Sequence, residues 1–380
     1  MANESNTDST KHSVKVGFAA LDPYIEVNEI LPTETPAGGS RGMIRWGTGN
    51  VYPQFLYSLY EAVPTLGAVI EGTVNFIIGD SAAIIPFGGR GDGSVNRKGD
   101  TATDLVRELA RDYLIYGGFA VQVIRDRSGN VAELHWIDMR YLRSNKDNTV
   151  FFYSEKWGGT GLKKTVIYPA FMPEADMAGL DADQRQAMAS SIYFFKENRR
   201  RTYPTPAYIQ AIKSCDIERS IDTYHLNAIN NGFSDGLIVN FNNGIPEDKM
   251  KEQIEKDFSE KFTGQSNAGR IMLCFNRDKD SQTTMQTITT RDYGEKYNTL
   301  AARSRQQIFT AFRANPNLFG IPTEGNGFSN EEYAESFALY NRTQVKPVQD
   351  RIRESFAKIL GNPEALTISP FTMDGISREE

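Results

Sequence analysis

The chain has 380 residues, of which 39% are hydrophobic and 24% charged, and its formal net charge at pH 7 is −6. These values are ordinary for a globular protein and exclude a disordered or fibrous chain. The acidic balance argues against a protein that wraps nucleic acid tightly, because such binding needs a basic surface. The two cysteines, Cys215 and Cys274, cannot build a disulfide framework and are expected to be small buried apolar residues.

The N-terminal region is rich in Ser, Thr, Asn and Asp, and we expect residues 1–40 to form a disordered arm, without the apolar stretch of a signal peptide. Order is expected to begin near Trp46. Apolar residues at helical spacing over 52–78 predict two helices that are separated at Pro64. The apolar stretch 66–87 is interrupted by two carboxylates, so no membrane-spanning helix is expected.

The middle of the chain predicts a helix followed by several strands. Gly-rich residues 88–99 are expected to form a surface loop, with a flexible glycine run at 88–93. Asp100 or Thr101 is predicted to cap an amphipathic helix that ends at Gly117. Residues 172–190 are expected to form a loop with a short helix. Strands are predicted at 119–124 and 131–137, joined as a hairpin, and at 149–153, 164–168 and 191–196.

The second half predicts two long helices around a small α/β unit. The first helix is expected over 205–231, with Thr205 as its cap and Pro206 at its first position. Residues 233–289 predict a β-α-β unit, with strands at 237–241 and 270–275 and a weaker third strand at 285–289.

The second long helix is expected over 293–312, and an Asn-, Pro- and Gly-rich loop follows it. Ser329 and Glu332 then form a predicted capping box for a last helix that ends near Leu360. Pro347 is expected to kink that helix, because proline removes a backbone donor and clashes one turn back.

Motifs that would indicate an enzyme are scarce. The sequence has no Gly-x4-Gly-Lys-Ser/Thr phosphate loop. Its three histidines, His12, His135 and His225, lack partners at metal-ligand spacing. No carboxylate cluster lies in an apolar context that would raise a pKa. We therefore expect no enzyme activity and assign no catalytic, cofactor-binding or metal-binding residues.

In the order of its motifs the chain resembles the phage portal protein family, specifically the short portals of siphovirus-like phages and prophages. Trp46-Gly47 and Tyr52-Pro53 also look like the start of portals from phages of Bacteroidetes-type hosts. The other matching motifs are, in order, Tyr203-Pro204-Thr205-Pro206, Asn230-Asn231-Gly232-Phe233, Asn267-Ala268-Gly269-Arg270, Phe328-Ser329-Asn330 and Pro347.

The resemblance implies an α+β fold: a portal-like subunit with a mixed α/β wing, two long stem helices, a small β-α-β clip and a long kinked C-terminal helix. The implied domains are the arm at 1–40, the wing at 41–204 with 328–361, the stem helices at 205–232 and 290–313, the clip at 233–289, the tunnel loop at 314–327, the kinked wing helix at 328–361 and a short C-terminal tail at 362–380, so that a crown is minimal or absent.

The resemblance also implies a function. Such subunits form a ring, expected here to be dodecameric, through which double-stranded DNA passes without sequence-specific contacts. The implied partners are the terminase large subunit, capsid and scaffolding proteins, and neck or head-completion proteins, with no membrane. The expected location is the portal vertex of the virion, and the host cytoplasm during assembly. The alternatives are another head-tail connector or minor capsid protein, and a nucleic-acid-processing enzyme.

Residues that could touch DNA follow from the implied tunnel loop. Arginine could make transient phosphate contacts, whereas asparagine offers neutral donors and acceptors that bind phosphates weakly. The arginines could equally form salt bridges with a neighbouring subunit, and the loop could be a plain surface connector. The candidate residues are Arg303, Arg305, Arg313, Asn315, Asn317 and Asn326.

Overall fold

The computed structural model describes residues 31–37, 42–157, 165–230, 237–241, 271–275, 293–321 and 330–372, and part of 249–256. The chain divides into two compact units. The insert unit comprises Tyr224–Thr290 with Met1–Asn28, and the main unit comprises Glu29–Thr223 with Arg291–Glu380.

A five-stranded antiparallel sheet opens the main unit. Its strands are β1 (Glu34–Pro36), β2 (Met43–Trp46), β6 (Leu142–Asn145), β7 (Val150–Tyr153) and β8 (Val166–Pro169). Their order in the sheet is β1-β2-β6-β7-β8. The expected strands at 149–153 and 164–168 are confirmed as β7 and β8 to within two residues.

Strand β1 corrects the expectation that residues 1–40 form a disordered arm and that order begins near Trp46. Glu34 pairs with Trp46 in the β1–β2 ladder. The Glu34 carboxylate accepts hydrogen bonds from the backbone N–H groups of Thr202 and Tyr203, at 3.0 and 2.9 Å. These anchors lie far away in the sequence, so composition alone could not reveal them. The rest of the predicted arm, 1–30, lies outside the described residues.

Three helices form the centre of the core. They are α1 (Tyr52–Ala62), α2 (Pro64–Ile78) and α3 (Ala102–Tyr116), so the predicted break at Pro64 is confirmed. Thr101 and Asp104 form a reciprocal capping box at the start of α3. Among the described residues no single helix is long and apolar enough to cross a membrane; α1 and α2 meet that criterion only as a pair, bent by 94°.

The last part of the Gly-rich stretch before α3 is held against a neighbouring segment. Val95 is fully buried, and its carbonyl accepts a hydrogen bond from the Leu134 N–H at 2.8 Å. The Asn96 side chain donates to the Leu134 carbonyl at 3.0 Å and to Asp100 at 2.8 Å. The flexibility expected of the glycine run at 88–93 stays a prediction.

A second antiparallel sheet has the order β5-β4-β9, which confirms the predicted hairpin. Its strands are β4 (Gly118–Arg125), β5 (Val131–Trp136) and β9 (Ser190–Lys196). The connection before β9 holds a 3₁₀ turn, Glu174–Gly179, and the short helix α4, Ala182–Ala187.

The first long helix, α5, spans Ile212–Asn230 after a 3₁₀ turn at Ile209–Ala211. The predicted start at Thr205 and Pro206 is therefore wrong. The residues before α5 pack instead as an irregular segment. The fully buried Tyr208 stacks on Phe312 and donates a hydrogen bond from its hydroxyl to the Ile115 carbonyl at 3.1 Å. This tertiary packing prevails over the proline signal.

In the insert unit, β10 (Leu237–Phe241) pairs in parallel with β11 (Ile271–Phe275). Residues 249–250, 252–254 and 256 between them are helical, as the predicted β-α-β unit requires. The expected third strand at 285–289 lies outside the described residues.

The C-terminal part contains α6 (Tyr293–Phe312), α7 (Asn330–Tyr340) and α8 (Lys346–Leu360). A π-helical turn, Asn341–Val345, joins α7 to α8 directly before Pro347. The kink expected at Pro347 stays a prediction. Ser329 of the predicted capping box lies outside the described residues. Strand β12 (Leu366–Ile368) pairs with β3 (Ala82–Ile84), which builds part of the expected C-terminal tail into the main unit.

Candidate functional site

The candidate site begins on α6, whose two faces differ. Ile308, Phe309 and Phe312 are buried in the core. Arg303 and Arg305 are exposed and make no ion pair with another described residue. Because Arg303 lies ten residues before Arg313, it is about 15 Å away along the helix axis. The structure therefore does not bring the two helix arginines together with the residues that follow α6.

Arg313 ends α6. Its φ of 53° is in the left-handed region, and its N–H donates to the Thr310 carbonyl at 3.0 Å. The side chain is exposed. The next candidate, Asn315, bridges two elements. Its side-chain oxygen accepts from the Asn317 N–H at 3.2 Å, and its amide donates to Ser336 on α7 at 3.2 Å. Asn326 lies outside the described residues.

The first part of the predicted loop 314–327 is anchored. Residues Pro316–Phe319 form a 3₁₀ turn, and Leu318 is buried. The Phe319 ring rests directly on Gly72 of α2, where an added Cβ would lie 2.6 Å from the ring. The same ring contacts three aromatic side chains of the core, Phe76, Phe309 and Tyr340. Residues 316–319 are therefore fixed against the core.

Arg313 and Asn315 open onto a cleft of about 330 Å³ at the π-helical turn. Its other lining residues are Ser336, Leu339, Tyr340, Thr343 and Gln344. None of them is a carboxylate. The buried amide nitrogen of Gln344 has no hydrogen-bond partner among the described residues. The cleft therefore offers one cation and several neutral polar groups, which suits weak contact with an oxyanion.

The sequence did not indicate Ser336, Thr343 or Gln344 as part of this cleft. They follow residues 322–329 in the sequence, and the nearest sequence signal to them is Pro347. Sequence reasoning also missed Asp112, which is buried and accepts a hydrogen bond from Trp136 Nε1 at 2.7 Å. Burial, and then the nearby Asp138, raise the pKa of Asp112 well above its usual value.

Features of an enzyme site are not assembled in the described part of the chain. No group of three or more His, Cys, Asp or Glu residues there is placed to hold a metal ion. Two Gly-x-Ser-x-Gly stretches occur, at 38–42 and 232–236. A nucleophile elbow would follow a strand and open a helix. Here each stretch is followed by a strand, β2 or β10, which is the opposite context.

Comparison with known proteins identifies the family. The family model described as "Phage portal protein" matches residues 96–379, which is about three quarters of the chain. The chain belongs to the phage portal protein family. The match covers the Asn315 cleft, residues 224–290 of the insert unit and the last helix of this portal chain.

Solved structures share the fold of the portal chain. A chain from the "Virion of native gene transfer agent (GTA) particle" has a TM-score of 0.51 at 14% identity, with 86% of each chain covered. A chain from the "Neck of native GTA particle computed with C12 symmetry" has a TM-score of 0.50 at 15% identity, covering 83% of this chain and 84% of that one.

A curated relative is an uncharacterized protein of Rickettsia felis, 34% identical over 122 residues, which are 32% of this chain and 30% of that protein. Another, from Rickettsia bellii, is 30% identical over 167 residues, 43% of this chain and 41% of that protein. The portal chain therefore spans less than half the length of these curated relatives.

Proposed function

We propose that twelve copies of this chain form a ring-shaped channel at one vertex of a capsid, through which double-stranded DNA enters during packaging and leaves on ejection. The observation that carries the proposal is the family match over residues 96–379. The likeness to a chain of a neck with C12 symmetry supports the twelvefold ring.

Uncovered apolar side chains on the long helices support assembly into a ring. Ile217 on α5 is 40% exposed, Leu300 on α6 is 41% exposed and Leu339 on α7 is 66% exposed. Exposed apolar groups on several helices are typical of a surface that another protein covers. In a closed ring each subunit has a neighbour on both flanks, so every copy can cover such residues on the next.

The cleft beside Arg313 and the net charge support the passage of DNA without tight binding. Twelve copies of a chain of net charge −6 form an acidic assembly, which repels phosphates. A single exposed arginine with neutral polar neighbours provides contacts that form and break easily. We assign the constriction of the channel to the segment 313–328, with Arg313 and Asn315 facing the DNA.

The insert unit extends the proposal to partners. Its strands β10 and β11 lie between α5 and α6 in the sequence, which is the position of a clip. The clip would be held by neighbouring subunits, the terminase large subunit and later the neck proteins. Capsid and scaffolding proteins would contact the wing. The chain would assemble in the host cytoplasm and end in the virion.

The test is the mass of the purified protein by size exclusion with light scattering. We expect a particle of about twelve times the 42.6 kDa chain mass. The same particle should show no hydrolysis of ATP and no cleavage of DNA. A monomer across a wide range of concentration and salt would contradict the ring.

A further inference from the structure

A basic loop lies between β9 and the segment that leads to α5. Lys196 ends β9, and Arg199, Arg200 and Arg201 follow as three consecutive arginines. All three arginine side chains are exposed. Lys146, in the turn between β6 and β7, is also exposed. Asn148 of the β6–β7 turn connects this turn to the basic loop, because the Asn148 side-chain amide donates a hydrogen bond to the Thr202 carbonyl at 3.1 Å.

The positive charges of this basic loop are poorly compensated. The Lys196 ammonium donates only to neutral oxygens, those of Asn148, Arg201 and Thr202. The guanidinium groups of Arg199 and Arg200 make no ion pair or hydrogen bond with another described residue.

Three carboxylates lie near the basic loop and offset part of its charge. Glu34 interacts electrostatically with Lys196 and also accepts hydrogen bonds from two backbone N–H groups, and Glu197 pairs with Arg351 at 3.5 Å. Asp147, next to Lys146, is exposed. Five cations thus face three carboxylates, in a chain whose total charge is negative.

The backbone of the basic loop is held in place. The Arg200 N–H donates to the Asn198 side chain at 3.0 Å, and the Arg201 guanidinium donates to the Pro32 carbonyl at 3.2 Å. Glu34 fixes the next two residues, Thr202 and Tyr203. The arginines therefore project from a preformed support, which lowers the entropy lost when they bind a ligand.

We propose that the basic loop, with Lys146, is a binding site for the phosphodiester backbone of duplex DNA, separate from the weak contacts at Arg313. Contact with phosphates needs only placed cations and gives no sequence preference. A protein partner would need an apolar anchor as well. Beside the three arginines, the exposed large apolar side chain is that of Leu31, which precedes Pro32.

The proposal goes beyond the channel function, because it assigns a DNA contact to the wing and does not require a ring. The test is the affinity of the full-length protein for a short fluorescent duplex of mixed sequence, measured by anisotropy at several salt concentrations. We expect Arg199→Gln/Arg200→Gln to weaken binding on the order of tenfold and to reduce the slope of log K against log salt by about 2, since each phosphate contact contributes about 0.9.

The matched control is Lys98→Gln/Arg127→Gln, which removes two exposed loop cations and the same total charge. It should retain the slope of the parent protein. Equal losses in both double variants would show a general effect of net charge and overturn the site. Binding of a polyglutamate peptide but not of the duplex would overturn it in favour of an acidic protein partner. Light scattering on the same samples reports the ring separately: a monomeric parent would refute the ring and leave the phosphate site standing.

Discussion

The contact between Gly72 and Phe319 gives a test of how the segment after α6 is anchored. An alanine Cβ at position 72 would lie 2.6 Å from Phe319 Cδ1 and 2.8 Å from Cε1, so the ring must move. Alanine is favoured over glycine inside a helix by about 1 kcal/mol, whereas overpacking costs about 1–3 kcal/mol. We expect Gly72→Ala to lower the free energy of unfolding by about 1 kcal/mol.

The sign should reverse when the ring is absent. Phe319→Ala alone costs about 3 kcal/mol, which leaves about 2–12 kcal/mol of a typical stability of ~5–15 kcal/mol. In that background Gly72→Ala meets no ring and should stabilise by about 1 kcal/mol. Urea unfolding of the four proteins gives the coupling energy. The control is Gly67→Ala on the same helix, where an added Cβ would lie 3.3 Å from the Tyr60 carbonyl oxygen. This substitution should change the free energy of unfolding by the same amount with and without the Phe319 ring. If Gly72→Ala also changed the free energy of unfolding equally in the parent and in Phe319→Ala, the Phe319 ring would not pack on α2.

Three further predictions address the loop, the insert unit and the core. Shortening 322–327, or Arg313→Glu, should leave the particle mass unchanged but alter DNA packaging and retention. Arg127→Glu is the control for the change of charge. Variants that package and retain a full genome would exclude this segment as the constriction. Replacing 236–286 by a short linker should leave the main unit folded, as measured by circular dichroism, but abolish rings in electron micrographs. Rings that persist would refute the role of this unit as the clip. Asp112→Asn should gain stability relative to the parent as the pH rises from 4 to 7. The raised pKa keeps a proton on folded Asp112 that the unfolded chain releases above about pH 4, so the stability of the parent falls over that range. Urea unfolding at both pH values checks this, and parallel pH dependences would contradict it.

Elements with local signals could be predicted from the sequence. The capping box of Thr101 and Asp104 and the break at Pro64 each act within one helical turn, and both occur where expected. Helix α6 spans 293–312 as predicted, because its apolar face follows the helical period throughout.

Elements that depend on distant contacts could not be predicted. Strand β1 has three residues, one of them Pro36, and its support comes from residues about 170 positions away. Proline is tolerated there because β1 is an edge strand. The start of α5 moved from Thr205 to Ile212 because Tyr208 is held by α3 and Phe312. In each case tertiary packing overrides local preference.

The candidate site was predictable only in part. Arg313 and Asn315 do share a cleft, but Arg303 and Arg305 do not line it. The anchoring of Phe319 requires Gly72, which lies 247 positions earlier in the chain and gives no sign of that contact in its own sequence context. Which residues face DNA stays a prediction.

Single-particle cryo-electron microscopy of the purified assembly tests whether the chain forms a channel. We expect a twelvefold ring with an open central hole, and residues 313–328 of every subunit at its narrowest point. A particle without a central hole, or a ring that carries this segment on its outer rim, would exclude the proposed channel.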